Sequence, residues 1–483
     1  MEEIDRGELK GKAINGIIAL TSRTLLLQII SLIAFSLLTF YLTPTTIGIF
    51  GAAMAAMKLF TLFTDIGFGA ALIQKKEKIE EDDLKTTFTL QEILVVTVVI
   101  VGLLLSSSIS SYFHLSSQGL WLFRTLIVIL FISSLKTIPS ILMERKIEFG
   151  KQIFPQIVEA LIFNILVVIL AIKGFQVASF TWAFLISSIV SLPIYYYLAP
   201  WKIGFGIKKS VAKRILFFGT PYQFKSILGV IKDDLIKLYA TRTVGLSGLG
   251  YIEWGQRWAF SPFRFIVDSI TKVTFPTFAR LQEEKNILKK AIERSLFSVS
   301  LIMFPVMIGM IISAPYFINL IPKYGKWQLA LPSLYFFCIN AAVSSLSNIL
   351  VNVLDAIGKV KITLIMMIIW TILTWILTPI GIIILGPTGV AAAGAIVTLT
   401  IFITIYFVNK YIPFNFLPSI WKPLIISLLM GLVIYFERKI IGYSWIGLFL
   451  MIVSGVIIYL LGVLLIAKED ISEIISIIKK RHD

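Results

Sequence analysis

The chain of 483 residues holds one cysteine, Cys338, and two histidines, His114 and His482. A single thiol excludes an intramolecular disulfide. Two distant histidines without a cysteine cluster argue against a metal site. Charge is scarce as well, at 15% of residues, where a soluble domain carries about a quarter. Acid is scarcer than base, 27 residues against 44, which leaves a net charge of +17. No glycine-rich loop ending in lysine is present to cradle a nucleotide, so direct use of ATP is not supported. Long polar joints are missing too. Without an external platform, catalysis is not expected, and the chain does not read as an enzyme.

What is abundant is apolar sequence: 57% of residues are hydrophobic and the mean hydropathy is +0.91. The apolar residues come in continuous runs long enough to cross a bilayer as helices, which needs about 20 residues each. Continuity rather than alternation excludes a membrane β-barrel. The expected fold is therefore all-α and polytopic, with about 14 spans at 14–42, 46–73, 84–110, 120–142, 151–173, 176–199, 214–240, 243–275, 293–321, 328–356, 362–384, 387–410, 416–436 and 444–467. The first run is too long for a signal h-region and reads as the first span.

Orientation follows from the joints. Lys75, Lys76, Lys78, Arg145, Lys146, Lys208, Lys209, Lys289 and Lys290 fall in one alternate set of joints, whereas the opposite set holds only a few cations such as Lys173, Arg242 and Lys323. The positive-inside rule then places both termini in the cytoplasm of a multi-pass protein of the cell membrane. Most of the excess positive charge is thereby a topology signal, which argues against nucleic acid as a partner. The longest basic joint follows the sixth span. Transporters are commonly built from two repeats, so the expected domains are an N-terminal lobe at 1–200, a C-terminal lobe at 201–410, and a last helix pair with a cytoplasmic tail at 411–483.

Several charges lie inside the apolar runs, where each is costly unless it faces a wet interior. Glu253, Arg257, Arg264, Asp268 and Lys272 are spaced by 4, 7, 4 and 4 residues, which confines them to an arc of about 100° on a helix. Two readings stay open: the face neutralises itself through i,i+4 pairs and lines a wet groove, or Arg257 and Arg264 present forked donors to phosphate oxygens. In span seven, Lys225 and Lys232 share one face, and Asp233 and Asp234 are within reach of Lys237. In the first lobe, Arg23 or Lys58 pairs with Asp65, or Arg23, Lys58, Lys225 and Arg257 share a basic cavity, or Lys58 snorkels to the interface. Tyr251, Trp254 and Trp258 flank the charged face, where an aromatic ring can stack on a sugar. Tyr195, Tyr196, Tyr197 and Trp201 read as an interfacial belt.

The block TPTTIGIFGAAMAAMKLFTLFTDIGFGAALIQKK, Thr43 to Lys76, and the block VGLSGLGYIEWGQRWAFSPFRFIVDSITKVTFPTFARL, Val244 to Leu281, resemble the polysaccharide-biosynthesis exporters. These are the oligosaccharide-lipid flippase branch of the multidrug/oligosaccharidyl-lipid/polysaccharide transporters. LGPTGVAAAG, Leu385 to Gly394, resembles the small-residue start of their twelfth helix. The likeness covers nearly the whole chain. It implies two six-helix lobes around a cationic cavity and the transfer, by alternating access, of a polyprenyl-pyrophosphate-linked oligosaccharide between leaflets. Arg23, Lys58, Lys225, Lys232, Arg257 and Arg264 are then candidates to receive the diphosphate and sugar head. Asp65, Asp233, Asp234, Glu253 or Asp268 would couple transport to an ion gradient or membrane potential, with no cofactor. Expected partners are the bilayer, the lipid-linked oligosaccharide, and a glycan polymerase or glycosyltransferases, with the chain acting as a monomer. The rival readings are a peptidoglycan-precursor flippase, a cation-coupled multidrug exporter, and a membrane-embedded polymerase or ligase.

Overall fold

A computed structural model describes residues 6–472 except 65–66, 76, 78 and 147. Among the described residues it contains helices and no strand. Packing divides the chain into two compact units, 1–250 and 251–483. The first unit holds α1 (Arg6–Tyr41), α2 (Pro44–Thr61), α3 (Phe68–Gln74), α4 (Glu81–Tyr112), α5 (Ser117–Leu135), α6 (Thr137–Arg145), α7 (Phe149–Ile172), α8 (Val177–Leu198), α9 (Lys209–Val230) and the beginning of α10 (Ile236–Arg280). The second holds the rest of α10, then α11 (Lys285–Leu320), a 3-10 turn, α12 (Leu331–Ala356), α13 (Val360–Leu385), α14 (Thr388–Thr398), α15 (Ile401–Tyr411), α16 (Phe416–Ile440) and α17 (Trp445–Ile466).

Eleven helical segments are long and apolar enough to cross a membrane. They coincide with eleven of the expected spans. The other three, 46–73, 214–240 and 243–275, are helical but less apolar, and each is interrupted or lined with charge. Span 46–73 is not one helix: it stops at Thr61 and restarts at Phe68 after Gly67, whose φ of 76° only glycine adopts readily. Span 214–240 carries a π-turn at Ile231–Leu235 between α9 and α10. Within α10, Gly245 has a φ of 73° and marks a kink between two helical pieces. The expected lobes meet after residue 200, whereas the packing units meet after Gly250, because α9 and the π-turn pack on α2, α3 and α4.

Two tight features hold the first unit. Gly48 of α2 lies against the backbone of Leu246 so closely that a Cβ would stand 1.8 Å from the Leu246 carbonyl oxygen, and one on Gly250 would stand 1.9 Å from that of Pro44. Thr45 and Ser247 hydroxyls meet beside this crossing at 2.7 Å. Small residues let helix backbones approach in a bilayer, where apolar surface alone gives little drive to associate. The two sequence blocks that carry the family resemblance therefore touch here. The second feature is an ion pair with a buried cation and a partly exposed carboxylate. Lys136, at the break between α5 and α6, reaches both carboxylate oxygens of Glu159 on α7 at 2.9 and 3.0 Å. Ser188 and Ser191 of α8 donate to the same carboxylate at 3.1 and 3.0 Å. Tyr195 is buried in the core and Tyr196 donates to the Leu135 carbonyl, so of the expected tyrosine belt only Tyr197 is fully exposed.

In the second unit α16 and α17 are anchored on α11. Tyr316 is wholly buried, donates to the Gly442 carbonyl at 2.6 Å and accepts from the Ser444 amide at 2.8 Å, which fixes the turn between the last two helices.

Replacing Gly48 or Gly250 by valine would force the α2 crossing apart. Overpacking of this kind costs about 1–3 kcal/mol or more, and the expected result is a lowered melting temperature or loss of monodisperse protein on size exclusion in detergent. Glu159→Gln would leave Lys136 buried without its counter-charge, a loss of about 3 kcal/mol. The double variant Lys136→Met with Glu159→Leu should recover most of that loss in thermal unfolding.

Candidate functional site: charged groups on helices nine and ten

In the first unit the charges gather around the π-turn. A π-turn widens the helix by one residue and re-aims the side chains that follow it. Here it turns Asp234 onto α2, where its carboxylate accepts from Lys58 Nζ at 3.0 Å. Asp234 is buried, with 7% of its side chain exposed, whereas Lys58 is 54% exposed. The pair thus presents its cation to the surroundings and hides its anion. Lys232 closes on Asp233 at 3.1 Å. Lys58 is therefore paired with an acid of α9–α10, where the sequence offered Asp65, a basic cavity or the interface. Asp65 lies outside the described residues, as do the side chains of Arg23 and Lys225.

In the second unit the α10 segment after Tyr251 carries the ionisable face. One flank of that face is locked by aromatic packing. Trp254 is buried and stacks on Trp327 of the 3-10 turn Tyr324–Ala330, with ring centroids 5.6 Å apart and planes at 12°. Tyr251 meets the same ring edge-on at 6.4 Å. Tyr251 and Trp254 therefore serve packing, while Trp258 lies beside Trp254 at 6.3 Å. Gly255 sits close against Leu334 of α12. Further along, Thr271 donates to Asn348 of α12 at 3.1 Å, and Asn352 donates to Asn348 at 3.1 Å. With that side fixed, Arg257 and Glu253 are half-buried and Arg264, Asp268 and Lys272 are exposed. Among the described residues Arg264, Asp268 and Lys272 form no direct ion pair. This part of the face is not closed by its own i,i+4 neighbours. Exposed and open, it offers donors and acceptors to water or to a polar ligand, and guanidinium groups at Arg257 and Arg264 suit phosphate oxygens.

The structure thus brings Lys58, Lys232, Asp233 and Asp234 together in one unit and aligns Glu253, Arg257, Arg264 and Asp268 on one helix of the other. It also reveals charged groups that the sequence reading passed over. Asp83, at the start of α4, is buried and accepts from Lys75 at 2.5 Å, from Arg214 at 2.6 Å and from the Glu80 amide at 2.9 Å. Arg145 donates to the Leu72 and Lys75 carbonyls and to that of Glu77. Together these hold the basic joint after α3 against the beginnings of α4 and α9. Glu92 is buried in α4, beside Gln91, whose amide donates to Thr137 at 2.9 Å. Glu92 and Lys136 could have been found by the rule that drew attention to Glu253 and Arg257, since each is a charge within an apolar run. Asp83 gave no such signal, because it sits in an acidic stretch that reads as solvated.

Comparison with known proteins gives the chain a family and a fold. Over residues 37–332 the chain matches the model of a family described as polysaccharide biosynthesis protein. It is 27% identical over 353 residues to an uncharacterized membrane protein in the cps region of Klebsiella pneumoniae, covering 71% of each chain. It is 24% identical to the teichuronic acid biosynthesis protein TuaB of Bacillus subtilis (strain 168), covering 85% of this chain and 86% of that one. Among solved structures it shares the fold of the lipid II flippase MurJ in an inward closed conformation, with a TM-score of 0.76 at 18% identity over 95% of this chain and 100% of the other. A multi-pass helical membrane protein with a transporter fold, this chain belongs to the polysaccharide biosynthesis protein family.

Proposed function

We propose that the chain is a flippase that moves a polyprenyl-(pyro)phosphate-linked oligosaccharide from the cytoplasmic to the outer leaflet of the cell membrane, by alternating access, for assembly of a surface polysaccharide. The observation that carries this reading is the α10 face. Arg264 is exposed on a helix fastened beside its charged face by the stacking of Trp254 on Trp327, and its i+4 acid, Asp268, does not close on it. A structural membrane component has no use for such a face. A diphosphate head does, since it brings about two negative charges that hydrocarbon will not dissolve. Membership of the family supplies the process, polysaccharide biosynthesis. The charge of the face supplies the class of ligand, an anion.

In this reading Arg257 and Arg264 receive phosphate oxygens, and Lys58 and Lys232, each already satisfied by an aspartate, add weaker long-range attraction. Pairing of that sort has a use in transport: a cation half-compensated by its own acid attracts an anion without trapping it. Asp233, Asp234, Glu253 and Asp268 are the carboxylates available for coupling to an ion gradient. The positive-inside pattern supports a cytoplasmic position for both termini. A glycan polymerase or glycosyltransferases would supply or consume the lipid-linked glycan.

Flipping of a fluorescent lipid-linked oligosaccharide in reconstituted vesicles tests the proposal. Arg257→Ala and Arg264→Ala should each lower the initial rate by at least tenfold, about 1.4 kcal/mol. Arg264→Lys should keep the charge but lose the bidentate geometry and fall between. Wild-type rates in both alanine variants would refute the phosphate role. A panel containing lipid II and a neutral glycolipid separates this substrate class from its rivals.

A further inference from the structure

The first unit contains an apolar cavity of about 900 Å³ between α2, α4 and the α9–α10 segment. Leu59 and Phe60 line it from α2, Leu94 and Val101 from α4, and Ile227 and Leu238 from the α9–α10 segment. Among the described residues Thr97 is the single polar one in its lining, and its hydroxyl is already spent on the Ile93 carbonyl at 2.7 Å. Such a wall asks for nothing from a head group and gives water no partner. Several lining side chains are themselves exposed, among them Phe63, Val101 and Ile227, so the cavity suits hydrocarbon that enters from the bilayer.

Length distinguishes which hydrocarbon. The cavity follows α4 from Leu94 to Phe113, a rise of about 28 Å at 1.5 Å per residue. That is nearly the whole hydrocarbon core of about 30 Å. An acyl chain of a bilayer lipid reaches only through its own leaflet, about half that distance, whereas a long isoprenoid can follow the full groove. One end of the groove is marked by a cation. Arg242 lies one helical turn beyond Leu238, is exposed, and sits 5.2 Å from the Tyr112 ring centroid, next to the lining residue Phe113. Its guanidinium is held by His114 Nε2 at 2.6 Å, so a fixed positive group stands where an apolar channel ends.

We propose that this groove holds the long isoprenoid chain of a phosphate-headed lipid, with Arg242 at its mouth contacting the phosphate. The proposal rests on the flippase reading and deepens it, by giving the lipid part of the substrate its own site in the first unit, apart from the charged face of α10.

The test uses the full chain in nanodiscs with three probes: undecaprenyl monophosphate, geranyl monophosphate and dioleoyl phosphatidic acid. Binding is read by native mass spectrometry and by competition with a radiolabelled undecaprenyl probe. The undecaprenyl probe should bind about tenfold or more tightly than either of the others. Val101→Trp and Ile227→Trp, which fill the groove from partly exposed positions, should weaken it about tenfold, and Leu429→Trp on the exposed side of α16 should not. Arg242→Gln should weaken both isoprenoid monophosphates. Should the tryptophan variants fail to fold, the chain-length comparison and Arg242→Gln still decide the matter in the native fold. Undiminished undecaprenyl binding in folded Val101→Trp and Ile227→Trp, or displacement by phosphatidic acid at equal concentration, would overturn the groove. If flipping nonetheless requires Arg257 and Arg264, the groove alone has failed. If wild-type protein neither binds an isoprenoid phosphate nor flips any glycolipid, the flippase reading has failed with it.

Discussion

The constraint on which the rest of this protein depends is the poor solubility of charge in hydrocarbon. A cation inside a span must meet an anion, a hydrogen-bonding group or water. Lys136 meets Glu159, and two serines complete the shell of the carboxylate. Lys58 meets Asp234. The exposed part of the α10 face follows another solution. Arg264, Asp268 and Lys272 lie within i,i+4 reach and still do not pair directly, so their partners are water and whatever polar group water gives way to. The difference separates charges that build the fold from charges available for binding. Net charge cannot make that separation, because both kinds count alike in it.

The same constraint explains where the helices break. The three segments that fall short of a simple apolar span are the ones with Lys58, with Lys232 to Asp234, and with Glu253 to Lys272. Each also has an irregularity next to its charges: the break before Gly67, the π-turn at Ile231–Leu235, and the bend at Gly245. A continuous lipid-facing helix has to satisfy its whole backbone internally, so irregular backbone survives at membrane depth only where protein or water lies beside it. Charge and irregularity therefore occur together. Weak hydropathy in this chain marks the segments that carry the charges of the candidate site.

Much of the helical layout was legible in the sequence. Long apolar runs separated by basic joints are a strong, local signal, and eleven of them reappear as helices able to span. What was not legible is non-local. Lys58 had three plausible fates within the sequence, and which acid it met was decided by a π-turn that no residue pattern announces. Asp83 looked like one of several solvated acids and became the buried acceptor of Lys75 and Arg214, because the start of α9 folds back beside α4. Tyr251 and Trp254 had the composition of a sugar platform, but Trp327, far along the chain, stacks on Trp254 and meets Tyr251 edge-on. The glycines gave a better clue. The two blocks singled out by family resemblance meet at Gly48 and Gly250, where the backbones approach too closely for any side chain, so their pattern recorded a contact before it recorded a function.

A lipid-linked sugar sets a protein two unequal problems. Its head is charged and hydrated and gains several kcal/mol from a polar, cationic passage. Its chain gains almost nothing from leaving lipid for an apolar groove, since lipid tails are as apolar as leucine. Affinity must therefore come mainly from the head. What an apolar groove can add is discrimination, by length, by packing, and by fixing the chain in register with a cation such as Arg242. A tenfold preference corresponds to about 1.4 kcal/mol, which is within the range of packing differences alone. On the proposed reading the arginines of α10 would recognise charge and the groove along α4 the carrier, and a protein that had to ignore the abundant phospholipids around it would need both.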